Sequence, residues 1–155
     1  GMIANALYHL LTHPAVLKQV RQQPALMAAV VEESLRLEPA AAVVDRYATK
    51  DVQLGSAMIQ AGDLVRVSLT AANRDPAIFS QPDQFNPQRD NLRTHVTFAQ
   101  GPHVCLGLHL ARLEAQEAIA QLLQRFPALQ LNDQAAAVPR GLVFRKPLAL
   151  HASWE

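Results

Sequence analysis

The feature that most constrains this sequence is the segment 98–107, which holds the chain's only cysteine and leads into its longest helical pattern. Gly101 and Gly107 flank Cys105 and allow tight backbone turns on both sides of it. The helical pattern that follows continues until Pro127. Because unpaired N–H groups at a helix start favour negative charge, Cys105 should be held as a thiolate, the form that binds soft metals and attacks electrophiles. A buried, inert cysteine is the alternative for a lone Cys.

Length and composition favour one globular domain that covers residues 1–155. Half of the residues are hydrophobic, which is too many for a disordered chain, yet no apolar run approaches the roughly 20 residues that span a bilayer. A net charge of +1 argues against a nucleic-acid or membrane partner. The single cysteine excludes an internal disulfide framework, and no signal peptide is visible, so we expect a cytoplasmic protein. Gly1 before Met2 is interpreted as an expression scar.

Hydrophobic periodicity predicts a mainly α fold with small antiparallel β-sheets, of the α+β class. Three helices are expected before residue 39, with boundaries at Pro14 and Pro24, and a long helix is expected after Gly107. Short strands are predicted at 43–44, 52–54, 58–59, 65–69, 129–131 and 142–144. Between them, 73–93 has little periodicity, and a coil of this length in a compact domain usually has a functional reason.

The third predicted helix places two charged residues on or beside its apolar stripe. Glu33 falls on the stripe, and Arg36 follows three residues later, close enough to pair with it. Burial of such groups is costly unless they are paired and hydrogen-bonded. An exposed ion pair explains the same spacing.

Segment 98–107 reads F-A-Q-G-P-H-V-C-L-G and resembles the haem-binding loop of the cytochrome P450 family, the haem-thiolate monooxygenases, with the pattern F-x-x-G-x-H/R-x-C-x-G. All five defining positions match: Phe98, Gly101, His103, Cys105 and Gly107. The resemblance implies that these residues bind haem b, with Cys105 as the catalytic residue and axial iron ligand. It also implies that His103 meets a haem propionate and that Phe98 packs beside the thiolate. Ala99 falls outside these five positions, but it is a departure from the family, which usually has glycine after the phenylalanine.

Three further segments agree with this resemblance. Glu33 to Arg36 resembles the E-x-x-R signature, and 85–89 resembles the F-x-P-x-R segment. In the family, the glutamate and the two arginines of these segments form a buried structural network. The resemblance implies that Glu33, Arg36 and Arg89 form this network here and that it anchors the 73–93 coil. Arg46 matches an arginine that pairs with a haem propionate; a solvated strand arginine is the alternative.

The resemblance covers nearly the whole chain but only the C-terminal portion of the family's fold, of the bacterial type. It implies insertion of one oxygen atom from O2 into an organic substrate, with electrons from a ferredoxin or a flavoprotein. The distal oxygen-activating and substrate-binding part is absent from this sequence, and the opening helix lacks an N-cap, as if it began inside a longer helix. We therefore expect a truncated haem-binding portion whose substrate oxidation requires the missing N-terminal half.

Two other readings remain open. The chain could be a haem-free structural remnant or split-gene partner, without catalysis of its own, that covers its apolar faces by self-association. It could also hold zinc through His103, Cys105 and His109, with His95 as a further candidate, although this spacing matches no recognised tetrahedral site. His109 and Arg112 lie on the helix face where the family docks electron donors, and we interpret both as plain surface residues rather than as a docking site.

Overall fold

A computed structural model describes residues 1–132 and 137–155 and confirms the predicted class, helices with small antiparallel sheets. The helices are α1 (Met2–Thr12), α2 (Pro14–Gln22), α3 (Met27–Leu37), α4 (Leu69–Ala72) and α5 (Leu108–Arg125). Proline fixes two of the starts: Pro14 is the first residue of α2, and Pro24 begins a 3₁₀ turn that leads into α3, because proline's fixed φ suits a first helical turn. Sequence analysis did not predict α4, which is only one turn long.

Three two-stranded antiparallel sheets accompany the helices. The strands are β1 (Val43–Tyr47), β2 (Val52–Leu54), β3 (Ala57–Ile59), β4 (Leu64–Ser68), β5 (Gln130–Leu131) and β6 (Ala152–Ser153). β1 pairs with β4, so that Arg46 lies opposite Val65; β2 pairs with β3, and β5 with β6.

The predicted strand at 142–144 is wrong. This segment lies against the residues that follow α3: the Ala42 N–H donates to the Val143 carbonyl at 2.7 Å, and Phe144 makes one isolated bridge with Ala41. Gly141 adopts a φ of +126° before it, a conformation that favours glycine. The segment is therefore a turn with one bridge, and β5 takes its partner from the end of the chain.

The hydrophobic core lies where α1, α3 and α5 pack together. Leu10, Val30 and Ile119, one from each helix, are fully buried, and burial of such side chains stabilises the fold by about 1.5–3 kcal/mol each. Near the end of α5 Leu123 is buried, whereas the adjacent Leu122 is half-buried. α3 is buried on nearly all sides from Val30 to Leu37, including its charged residues.

A buried asparagine connects the irregular central segment to the cysteine loop. The Asn73 side chain donates to Thr97 Oγ1 at 2.8 Å and accepts from the Val96 N–H at 2.8 Å. Thr97 Oγ1 in turn donates to the Leu35 carbonyl of α3 at 2.7 Å. These bonds fix the backbone immediately before Phe98, where the loop begins. Within the described ranges, no helix is both long enough and apolar enough to cross a bilayer.

Candidate functional site

An open cleft of about 790 Å³ lies beside the start of α5 and contains several of the predicted site residues. Its polar lining includes Arg46, Thr97, His103, Cys105 and Glu114, and its apolar lining includes Leu35, Val44, Leu69 and Phe98. A mostly apolar cleft with a few convergent polar groups is typical of a cofactor site, and such sites usually have a volume of about 300–1,000 Å³.

The Cys105 loop is held mainly by its own backbone. The Cys105 N–H donates to the Phe98 carbonyl at 2.9 Å, and the Leu108 N–H of α5 donates to the Cys105 carbonyl at 3.3 Å. The thiol itself is free and exposed. The loop therefore fixes the cysteine backbone and leaves its sulfur accessible in the cleft.

The two glycines of the loop differ in conformation. Gly101 adopts a φ of +75° at the start of a 3₁₀ turn, and residues with a side chain adopt this positive φ only with backbone strain. Gly107 has an ordinary φ of −85° at the N-cap of α5. Neither lies among the residues that line the cleft. The chain thus turns on both sides of Cys105, at Gly101 and again at Gly107 where the Leu108 N–H closes the turn on the Cys105 carbonyl, but only Gly101 needs a conformation that favours glycine.

Ala99 occupies a backbone conformation that suits glycine. Its φ is +58°, in the left-handed region, where an L residue costs about 1–2 kcal/mol. Its N–H donates to the Val96 carbonyl at 2.9 Å, which closes the turn. The loop keeps this geometry despite the alanine, at a cost in backbone strain.

Arg46 reaches the cleft from β1. Its guanidinium donates only to the neighbouring Asp45 carbonyl, at 2.8 Å, and among residues 1–132 and 137–155 it forms no ion pair with a carboxylate. The Asp45 carboxylate instead binds Arg66 at 2.8 Å on the exposed surface. The positive charge of Arg46 is therefore available to an anionic group in the cleft.

Glu33, Arg36 and Arg89 meet in one buried network. Arg36 donates to both oxygens of Glu33 at 2.8 and 2.9 Å, and Arg89 donates to Glu33 Oε1 at 2.9 Å. Arg36 also donates to the Asn73 and Pro82 carbonyls, each at 2.8 Å. The network thus ties α3 to the irregular segment that precedes the cysteine loop.

A second network, centred on Glu32, was missed by sequence analysis. The buried Glu32 carboxylate accepts from His95 Nε2 at 3.0 Å and from Arg112 Nη2 at 3.1 Å. The Arg112 guanidinium also lies over the Phe98 ring, 4.8 Å from its centroid. Burial raises the pKa of Glu32, but the hydrogen bonds from His95 and Arg112 and the charge of Arg112 outweigh it and lower the pKa to about 2. The carboxylate is therefore ionised at neutral pH.

This second network corrects the interpretation of Arg112 as a plain surface residue. Its side chain is only 21% exposed, whereas His109, one turn earlier, is exposed. Two adjacent glutamates on a buried helix were the available signal, since each buried carboxylate needs cationic or hydrogen-bonding partners. The sequence did not show which residues these partners were.

The residues of the cleft fit a haem better than a zinc ion. Thiolate-ligated haem takes one axial ligand from the protein, and the cleft offers one free cysteine, with Arg46 and His103 as partners for the acidic propionates. Structural zinc needs four ligands. In the described part of the chain, no three or more His, Cys, Asp or Glu side chains come together as a metal site, and His95 is bound to Glu32. The zinc reading therefore has no support from these residues.

Comparison with known proteins gives the class to which this fold belongs. The family model described as "Cytochrome P450" matches residues 21–150. This chain belongs to the cytochrome P450 family.

Its relatives include bacterial members of known sequence and structure. The biotin biosynthesis cytochrome P450 of Bacillus subtilis (strain 168) is 46% identical over 133 residues, which are 86% of this chain and 33% of that protein. The nocardicin C N-oxygenase of Nocardia uniformis is 39% identical over an alignment that covers 99% of this chain and 39% of that enzyme. The crystal structure of P450BioI in complex with acyl carrier protein ligated to hexadec-9Z-enoic acid has a TM-score of 0.92 and 42% identity, over 99% of this chain and 40% of that one. The chain thus spans between a third and two-fifths of the length of these relatives.

Proposed function

We propose that this chain is the haem-thiolate-binding portion of a bacterial cytochrome P450 monooxygenase, with Cys105 as the axial ligand of the haem iron. The observation that carries the proposal is the free, exposed Cys105 thiol in an apolar cleft that also contains Phe98, His103 and Arg46. Membership of the family supports haem b as the cofactor and oxygen insertion as the chemistry.

The remaining side chains have distinct roles in this proposal. Arg46 and His103 bind the propionates, since the guanidinium provides charge-assisted hydrogen bonds and the imidazole a further donor. Phe98 lies beside the thiolate and provides an apolar wall that keeps water away from it. Gly101 sets the loop turn, and Gly107 starts α5. Glu33, Arg36 and Arg89 stay outside the cleft and hold the polypeptide on which the loop rests.

Haem bound here would supply the oxygen chemistry, and a cysteine thiolate ligand supports it by donating electron density to the iron. The protein's own contribution is to hold the sulfur at the iron, to neutralise the propionates and to exclude water on the thiolate side.

Oxidation of an organic substrate is proposed only for a complete cytochrome P450, and the relatives matched here are more than twice as long as this chain. The relatives matched at 46% and 39% identity are named for different reactions, biotin biosynthesis and N-oxygenation of nocardicin C. We infer that this portion carries the shared haem-binding machinery rather than the choice of substrate. A ferredoxin or flavoprotein is the proposed electron donor, and the acyl carrier protein bound by P450BioI is one proposed kind of substrate carrier.

The absorption spectrum tests this proposal. The purified chain is mixed with haemin, reduced with dithionite and exposed to carbon monoxide. Thiolate ligation gives a strongly red-shifted Soret band, which Cys105→Ser should abolish while the helical circular dichroism is unchanged. A His109→Gln variant is the matched control and should keep the shifted band. If the wild-type chain binds no haemin, or binds it with a spectrum typical of histidine ligation, the proposal is wrong for this chain.

A second candidate function, a haem-free portion that self-associates or binds a separately made partner, is favoured by the exposed apolar side chains. Leu106, Leu142, Leu148 and Phe144 are between 76% and 99% exposed, and a surface of this kind promotes association. Light scattering after size-exclusion chromatography, with and without haemin, tests this candidate. Association that is independent of haemin, together with the absence of a shifted Soret band, would favour it, and a strictly monomeric chain would contradict it.

A further inference from the structure

The Glu32 network contacts Phe98, which lines the cleft, and these contacts point to a task beyond stability. Glu32 is on α3, His95 precedes the cysteine loop, and Arg112 is on the second turn of α5. These residues are 63 and 80 positions apart from Glu32 in the chain. One carboxylate therefore joins both ends of the 95–112 segment to the buried helix.

Arg112 makes the contact that links this network to the cleft. Its guanidinium is fixed by two hydrogen bonds to Glu32 and faces the Phe98 ring at 4.8 Å, within the range of a cation–π interaction. His95 packs against the same ring with a centroid distance of 6.4 Å. Phe98 is thus restrained by two side chains that are themselves held by Glu32.

Phe98 in turn holds the cysteine. Its carbonyl accepts the Cys105 N–H at 2.9 Å, and both residues line the cleft. Between them lies the strained Ala99 turn, a conformation that persists only when its surroundings enforce it. The backbone of the loop therefore needs an external restraint, and Phe98 is where that restraint acts.

We propose that Glu32, His95 and Arg112 form a positioning unit that fixes the Phe98 ring and, through its carbonyl, the place of Cys105 in the cleft. Arg112 is the central residue of this unit, because it binds Glu32 through two hydrogen bonds and lies closer to the Phe98 ring than His95 does, at 4.8 Å against 6.4 Å. The value of the unit for iron ligation rests on the proposed function, whereas the restraint on Phe98 and Cys105 belongs to the chain without haem.

The chain contains a matched internal control. Arg36 lies over the Phe79 ring at 5.1 Å, a second arginine–phenylalanine pair that belongs to the Glu33 network and does not line the cleft. Incorporation of 4-fluorophenylalanine labels all five phenylalanines, and the Phe98→Leu variant identifies the Phe98 resonance by its loss. Hydrogen exchange of the Cys105 amide reports on its bond to the Phe98 carbonyl.

The experiment compares wild type with Arg112→Gln, Glu32→Gln and Arg112→Lys, all without haem. In Arg112→Gln and Glu32→Gln, the fluorine resonance of Phe98 should shift and broaden while that of Phe79 stays in place. The Cys105 amide should exchange faster by about tenfold, since its carbonyl partner is no longer fixed. Arg112→Lys retains a cation over the ring and should restore most of the Phe98 shift; it also provides the test if the glutamine variants unfold.

The proposal is overturned if Phe98 and the Cys105 amide are unchanged in folded Arg112→Gln protein, or if all five resonances move together in Arg112→Lys. Haemin is then added to the same samples. A loop that is restrained as proposed but gives no red-shifted Soret band would refute the proposed function and leave the positioning unit intact. A red-shifted Soret band in the wild-type chain, together with a Phe98 resonance that does not depend on Glu32 and Arg112, would refute the positioning unit and leave the proposed function intact.

Discussion

Glu33 and Arg89 are 56 positions apart in the chain, and their side chains form an ion pair of 2.9 Å in which both groups are nearly or fully buried. The same carboxylate binds Arg36, so one negative charge holds two arginines. Such a network is expensive to desolvate, and once formed it is costly to break on one side only. It therefore determines whether the irregular segment around Arg89 has a fixed position.

Glu33→Gln should destabilise the chain by about 3–5 kcal/mol, because two buried arginines lose their counter-charge. The measurement is the free energy of unfolding from urea titration followed by circular dichroism. Asp45→Asn is the control: its pair with Arg66 is about half-exposed, and loss of such a solvent-screened pair should destabilise the chain far less than loss of the buried one. Equal losses in the two variants would contradict the structural role assigned to Glu33.

Arg46→Leu should weaken haemin binding by about tenfold, the effect of losing roughly 1.5 kcal/mol of charge-assisted hydrogen bonding to a propionate. Haemin titration followed at the Soret band measures this change. Arg66→Leu is the matched variant, since Arg66 lies on the paired strand but outside the cleft lining, and it should leave the affinity unchanged. The reverse order of effects would remove Arg46 from the proposed site.

The buried His9 predicts acid sensitivity. Burial, followed by the charges of His13, Arg74 and Arg36, lowers its pKa to about 3 from an ordinary 6.5. The unfolded chain therefore binds a proton below pH 6.5 that the folded chain does not, and stability falls as the pH drops from about 6.5 towards 3. At pH 5 the loss should be about 2 kcal/mol relative to pH 7.5.

Unfolding free energies at several pH values measure this effect. His9→Phe retains a ring to stack on Phe85, which lies 4.9 Å away, and should flatten the dependence between pH 6.5 and 5. His151→Gln, at an exposed site, should keep the wild-type slope. An unchanged slope in His9→Phe would mean that other groups cause the acid loss.

Ala99→Gly should stabilise the chain by about 0.5–1 kcal/mol. Glycine relieves the left-handed backbone strain, but it also raises the conformational entropy of the unfolded chain, which offsets part of the stabilisation. Thermal unfolding measures the change. Ala120→Gly on the exposed side of α5 is the control with the opposite sign, a loss of about 1 kcal/mol. A lower melting temperature for Ala99→Gly would show that the alanine methyl makes a contact that outweighs its strain.

Local signals in the sequence predicted most of the helices and strands. Prolines and apolar periodicity gave α1, α2, α3 and α5 to within a few residues, because those signals act within one turn of helix. The strand predicted at 142–144 was wrong because local signals do not specify which segment an extended stretch pairs with. Its apolar residues are typical of an extended segment, but the partner of such a segment is a tertiary choice, and it lies against Ala41 and Ala42.

The sequence by itself determined the chemistry that this chain presents: a single thiol in a glycine-bounded loop before a long helix, and a glutamate three residues before an arginine. Only the tertiary structure decided which distant groups meet. It brought Arg46 into the cleft of Cys105, and it directed Glu32 to His95 and Arg112 while the adjacent Glu33 took Arg36 and Arg89. The physical reason is that α3 is buried on nearly every side, so no contrast between an apolar and a polar face marks where each carboxylate points. Apart from Arg36, which is three residues from Glu33, their partners come from segments more than fifty residues away.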